Sequence, residues 1–165
     1  MKSGIGVEGK KAGPAVMMEL RRKVLTEPSA QYGVDVAAGD PWAVVMETGF
    51  PGGSASLVCF ADGNASLYFS TGGGVIGGFA YENVRTAASD LVEAAGYFLG
   101  HFSPVTEFPM PGAGRTRFYV RAGETVLHAE ASENDLGEER HPLSKLFYAG
   151  HNVITQLREI TETSH

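Results

Sequence analysis

The feature that most constrains the fold of this chain is an amphipathic repeat near its C-terminus. Apolar residues and one glycine recur there at i, i+3, i+4 and i+7, which is the spacing of one face of an α-helix. They are Leu143, Leu146, Phe147, Gly150, Val153, Ile154, Leu157 and Ile160. One helix cannot bury such a stripe alone, so another layer of the domain must cover it.

Five runs of apolar or alternating residues predict the strands of a sheet that could supply this layer. They are residues 42–48, 55–61, 65–71, 116–122 and 124–131. Asp62-Gly63-Asn64 lies between the second and third runs, and Ala122-Gly123 lies between the last two. These residue types are typical of hairpin turns, so we expect two antiparallel hairpins.

The two turns fix an expected register for each hairpin. In the first hairpin, Leu57 pairs with Phe69, and both lie on an apolar face. In the second, Arg117 pairs with His128 on the face opposite the core. Side chains alternate between the two faces of a strand, so these pairings also predict which residues point away from the core.

Two further helices are predicted upstream of the last one. Pro14 begins the first, over residues 14–26, because a proline at the first helical position loses no needed N–H. Its expected apolar stripe is Val16, Met17, Leu20 and Val24. Arg21, Arg22 and Lys23 are expected largely to face water. The second helix covers residues 82–99 and carries four alanines that allow close packing on a sheet.

Together these elements predict one α+β domain over residues 14–165, preceded by a disordered basic arm at residues 1–13. We expect an antiparallel sheet of about five strands with helices packed on one face. The order of helix, three strands, helix, two strands and helix is similar in outline to small profilin-like or roadblock-like domains. One extra strand before the central helix departs from that outline.

The charge distribution and composition exclude several classes of protein. Residues 1–23 carry a net charge of +4, whereas the remaining 142 residues carry −10. A negative body repels a phosphate backbone, so we expect no nucleic-acid partner. The single cysteine excludes a disulfide scaffold and a cysteine-based zinc cluster. No apolar run is long enough to span a membrane, and no apolar leader precedes the domain, so we expect a cytoplasmic protein without a membrane partner.

A glycine-rich loop follows the third predicted strand. Gly72, Gly74 and Gly77 match the spacing GxGxxG, which in nucleotide-binding loops lets backbone N–H groups approach a phosphate. The next helix begins several residues too late for that role, and the preceding strands form a hairpin rather than a parallel unit. Two interpretations remain, a loop over an anionic ligand and a turn that needs glycine for close packing.

No catalytic or metal-ligating set is recognisable in the sequence. His128 and Glu130 lie on the same face of one strand beside Arg117, and we interpret them as a polar ladder rather than a base or metal site. Cys59 points inward from a strand, and Ser54 lacks the context of a nucleophile elbow. His151 lies at the margin of the C-terminal stripe, where we expect a partly buried, hydrogen-bonded histidine. We therefore predict no catalytic residues, no metal and no cofactor.

One face of the predicted sheet is rich in tyrosine and arginine. By alternation, Tyr68, Arg117, Tyr119, Arg121 and His128 point away from the face that the central and last helices cover. Tyrosine and arginine are favoured at interface centres. We therefore predict an interface there and a non-enzymatic adaptor or regulatory domain that contacts a protein partner or a second copy. The alternative is a small-ligand sensor or enzyme that uses the loop at residues 72–78.

Overall fold

The computed structural model describes residues 13–34, 36–75 and 78–163, which form an α+β fold with an open antiparallel sheet of seven strands. The four α-helices are α1 (Pro14–Thr26), α2 (Glu82–Ala95), α3 (Glu133–Gly137) and α4 (Ser144–Thr163). The strands are β1 (Pro41–Phe50), β2 (Gly53–Phe60), β3 (Ala65–Phe69), β4 (Gly74–Val75), β5 (Ser103–Pro104), β6 (Arg115–Ala122) and β7 (Thr125–Ser132). Their order across the sheet is β4-β3-β2-β1-β6-β7-β5.

The five predicted strands are present, and two short edge strands extend the sheet to seven. β4 and β5 have two residues each, too few to produce a periodic pattern in the sequence. The short helix α3 was not predicted either, because five residues are too few to produce a helical repeat in the sequence. Its N-terminus is capped by the Ser132 side chain, which accepts a hydrogen bond from the Asp135 backbone N–H.

Both predicted registers are wrong by two residues, and both keep the predicted faces. Leu57 pairs with Leu67 rather than Phe69, because the first turn is centred on Asp62 rather than on Gly63. Arg117 pairs with Glu130 rather than His128, because the second turn is Gly123-Glu124. A slip of two residues leaves each side chain on its original face, since the period of a strand is two.

α2 and α4 cover one face of the sheet and form the larger core. Val44 and Phe118 from the central strands pack there with Leu91 of α2 and Leu157 of α4, and all four are fully buried. Gly150 lets α4 approach β1 closely, since a Cβ at this position would lie 2.5 Å from the Met46 sulfur. The C-terminal stripe therefore packs on the sheet as the sequence predicts.

The other face of the sheet is covered by α1, by the turn Ser29–Tyr32 and by the strap at residues 105–109. This second core contains Met17 and Leu25 of α1, with Trp42, Val58 and Tyr119 of the sheet. The helices therefore lie on both faces, which corrects the prediction of one covered face. α1 spans residues 14–26 as predicted, and residues 1–12 of the predicted arm lie outside the described residues.

No helix in the described part of the chain is both long enough and apolar enough to cross a membrane.

Candidate functional site

The side chains predicted to form an interface lie mainly beneath α1 and the strap. Tyr119 is 0% exposed and Arg121 is 2% exposed, and Tyr68 is also buried. The Tyr119 hydroxyl donates a hydrogen bond to the Pro109 carbonyl at 2.7 Å. The premise that no helix covers this face is therefore incorrect, because the chain itself supplies the cover.

A buried ion pair joins α1 to this face of the sheet. Arg21 Nε lies 2.5 Å from Glu47 Oε2, and Arg21 Nη2 lies 2.9 Å from Oε1. Ser56 donates a further hydrogen bond to Glu47 at 2.7 Å. Burial of Arg21 opposes its charge, but the bonds and attraction from Glu47 outweigh this effect and raise its pKa. The buried arginine corrects the prediction that Arg21 faces water.

Arg121 binds the C-terminal end of α1. Its Nη1 donates to the carbonyls of Val24 at 2.6 Å and Glu27 at 3.0 Å, and its guanidinium lies 4.6 Å from the centre of the Trp42 ring. A cation at the C-terminus of a helix satisfies otherwise unpaired carbonyls and complements the helix dipole. The geometry gives Arg121 a structural role in holding α1.

The remaining residues of the predicted face form a polar ladder on β6 and β7. Glu130 pairs with both Arg115, at 2.9 Å, and Arg117, at 2.5 Å. His128 Nδ1 lies 3.4 Å from the Ser103 carbonyl oxygen of the edge strand. Within the described residues, no group of three or more His, Cys, Asp or Glu side chains could hold a metal ion.

The glycine-rich loop is a tight connection between β3 and β4. Gly72, Gly73 and Gly74 have φ values of 107°, 90° and 148°, which L-residues rarely adopt. A Cβ on Gly74 would lie 2.0 Å from the Leu67 carbonyl oxygen. The first two glycines of the pattern therefore serve an antiparallel hairpin, while Gly77 lies outside the described residues.

The predicted inward-facing residues of β2 offer no activated nucleophile. Cys59 is fully buried, and burial raises the pKa of its thiol, so the reactive thiolate is disfavoured. Ser54 is buried at the start of the strand, where its backbone N–H donates to the Ser70 hydroxyl at 2.9 Å.

A partly open, largely apolar groove lies between α4 and the sheet. We call it the α4 groove. Its inner cavity, of about 240 Å³, lies against β1, β2 and β3 and includes the apolar side chains Met46, Leu57, Leu67 and Phe69. An adjoining outer cavity, of about 350 Å³, shares Ala55, Leu67, Phe69 and Ile154 with it and continues to Arg158 and Thr161.

The inner cavity has a small polar end formed by Thr48, Glu133 and His151. His151 Nε2 is buried and has no hydrogen-bond partner among the described residues. Burial lowers the pKa of His151, and the nearby Glu133 carboxylate opposes this effect. The imidazole is therefore neutral near pH 7, and its ring lines the cavity while Nε2 itself is buried and unsatisfied.

His151 lies at the margin of the helical stripe as the sequence predicts, but its Nε2 lacks the hydrogen bond that we expected. The stripe predicts which face of α4 meets the sheet. It does not predict that the sheet side chains opposite His151 are apolar, because those come from strands about 100 residues earlier.

Comparisons of this chain with protein families, curated proteins and solved structures found no match. The profilin-like or roadblock-like outline is therefore not confirmed.

Proposed function

We propose that the protein is a non-enzymatic regulatory domain that acts by binding, and that its small-ligand site is the α4 groove. The observation that carries this proposal is an apolar cavity lined by His151, whose buried Nε2 has no hydrogen-bond partner among the described residues. Small-molecule sites are typically concave and apolar, with a few polar groups that orient the ligand. The α4 groove has this composition.

The unsatisfied Nε2 of His151 is the first contribution to the binding free energy. A buried polar atom without a hydrogen bond costs about 1–3 kcal/mol, so a ligand that supplies a partner recovers part of that cost. The apolar walls add a contribution of roughly 25 cal/mol for each Å² of apolar surface that the ligand removes from water. A small, largely apolar molecule with one neutral polar group gains both the hydrogen bond and the burial of apolar surface when it binds.

Four buried ionisable groups outside the groove, those of Arg21, Glu47, Cys59 and Arg121, have structural surroundings. Arg21 and Glu47 bond each other beneath α1, and Arg121 holds the end of that helix. The Cys59 thiol is buried and is held in its protonated form. These groups stabilise the fold instead of facing the groove.

A matched pair of probes tests this proposal. Benzyl alcohol and toluene have similar apolar bodies, and only the alcohol can form a hydrogen bond with His151. We expect both to bind in the α4 groove and the alcohol to bind more tightly, as measured by ¹⁵N chemical-shift titration. His151→Phe should remove the preference for the alcohol. Equal affinities of wild type for the two probes, or shifts scattered outside the groove, would contradict the proposal.

Protein contact between two copies is the second candidate function. The observation that favours it is Tyr97, which is 81% exposed and lies beside a cleft that also includes Val36, Pro41 and Val92. Light scattering over a range of concentrations tests it. A dimer that Tyr97→Ser dissociates supports this function, whereas a monomeric mass at every concentration rejects it.

A further inference from the structure

The α4 groove has a direction, because its helix side is formed by successive turns of α4. His151, Ile154, Arg158 and Thr161 all line it, and their spacing puts them on one face of the helix. At a rise of 1.5 Å per residue, His151 and Arg158 are about 10 Å apart along the axis. A ligand lying along α4 would therefore meet a different side chain at each end.

The charges at the two ends of the groove are opposite. Glu133 lies at the inner end beside His151, and Arg158 lines the outer cavity. A carboxylate at the inner end would meet the negative charge of Glu133. At the outer end it would meet the guanidinium of Arg158, which binds carboxylates through paired hydrogen bonds.

The wall between these ends is apolar. Ala55, Leu67, Phe69 and Ile154 line both cavities and contribute no charged group. A ligand that spans the groove therefore needs an uncharged, apolar middle section. Its solvent-facing end can be charged, because Arg158 is exposed to solvent.

We infer that the α4 groove takes a medium-chain carboxylate, with the carboxylate at Arg158 and the uncharged end directed toward His151. This inference rests on the proposed function of the groove and adds the charge and orientation of its ligand. A chain with a hydroxyl at its far end would satisfy His151 Nε2 as well as Arg158.

The test compares three probes that have the same alkyl chain and different head groups: octanoate, octanol and octylamine. In isothermal titration calorimetry at pH 7, the affinity of octanoate should depend on Arg158, whereas the affinities of octanol and octylamine should not. Arg158→Gln should weaken octanoate by about fivefold and leave octanol within about twofold. Lys145→Gln removes an exposed cation from the same helix outside the groove and should change neither affinity.

A second variant separates this inference from the proposed function. Ala55→Leu places bulk in the wall shared by both cavities and should weaken all three probes. If Arg158→Gln leaves the affinity for octanoate unchanged and Ala55→Leu weakens octanoate and octanol, the charge assignment is wrong and the groove is still a binding site. If no probe binds, or if Ala55→Leu changes no affinity, the proposed function itself is wrong. Circular dichroism should show that each variant is folded.

Discussion

Replacing Arg21 with methionine should destabilise the protein by about 3–5 kcal/mol, the usual cost of leaving one member of a buried ion pair without its partner. The Glu47 side chain is 0% exposed, and Arg21 bonds both of its carboxylate oxygens. Methionine keeps the apolar stem of the arginine and removes the charge. Glu47 would then retain only the hydrogen bond from Ser56.

The short distances between Arg21 and Glu47 support a loss of stability of this size. With an effective dielectric constant of about 20, two unit charges about 4 Å apart attract by roughly 4 kcal/mol. The oxygen and nitrogen atoms here lie 2.5 and 2.9 Å apart. Arg21 also donates to the Phe108 carbonyl at 2.7 Å, so its loss would remove one hydrogen bond to the strap as well as the partner of the carboxylate.

The neighbouring residue provides a matched control. Arg22 is ion-paired with Glu19 at 2.5 Å, but the two side chains are 54% and 55% exposed. Arg22→Met should therefore leave stability close to that of the wild type. The double variant Arg21→Met/Glu47→Leu should recover most of the loss, because an apolar pair of similar volume often replaces a buried ion pair without cost.

Urea unfolding followed by circular dichroism measures these differences, since the midpoint reports stability when the slope is unchanged. The reasoning would be refuted if Arg21→Met and Arg22→Met had the same midpoint. It would also be refuted if the double variant were as unstable as Arg21→Met, because an unpaired carboxylate would then not be the cause.

Three further predictions concern the α4 groove, the glycine loop and the arm. The pKa of His151 is lowered in the folded protein, so below about pH 6.5 the unfolded state takes up a proton first and the free energy of unfolding should fall. Urea unfolding at several pH values should show a weaker pH dependence for His151→Gln than for the wild type. Gly74→Ala should lower the thermal midpoint more than Gly52→Ala, since both have positive φ but only Gly74 would clash with a backbone carbonyl. Deleting residues 1–13 should change the thermal midpoint little, because this segment holds four glycines, three lysines and no periodic apolar residues, and a clear drop would contradict this expectation.

The faces of the strands could be predicted from the sequence, whereas the pairing of individual residues could not. Leu57 and Cys59 point into the core with α2 and α4 as expected, even though their partners on β3 are shifted by two residues. The reason is that a strand's alternation specifies a face, while the register depends on which residue lies at the centre of the turn. Moving the centre of the turn by one residue shifts every pair by two residues and preserves the face.

The cover of the second face could not be predicted because it depends on two charged residues that look unrelated in the sequence. Arg21 is surrounded by charged residues on a helix, and Glu47 lies within the otherwise apolar strand β1. Each is ordinarily a surface residue. They are 26 residues apart, and only the packing of α1 on the sheet brings them together. The pairing turns the helix so that Met17, Arg21 and Leu25 face inward, while Val16 is 50% exposed.

The central claim is that a small ligand occupies the α4 groove, and intermolecular nuclear Overhauser effects between a bound probe and the protein test it most directly. With benzyl alcohol and methyl-labelled protein, we predict contacts from the methyl groups of Leu57, Leu67 and Ile154 and from the ring of His151, all of which line the groove. Contacts confined to Tyr97 and other exposed side chains, or no contacts at saturating probe, would contradict the claim.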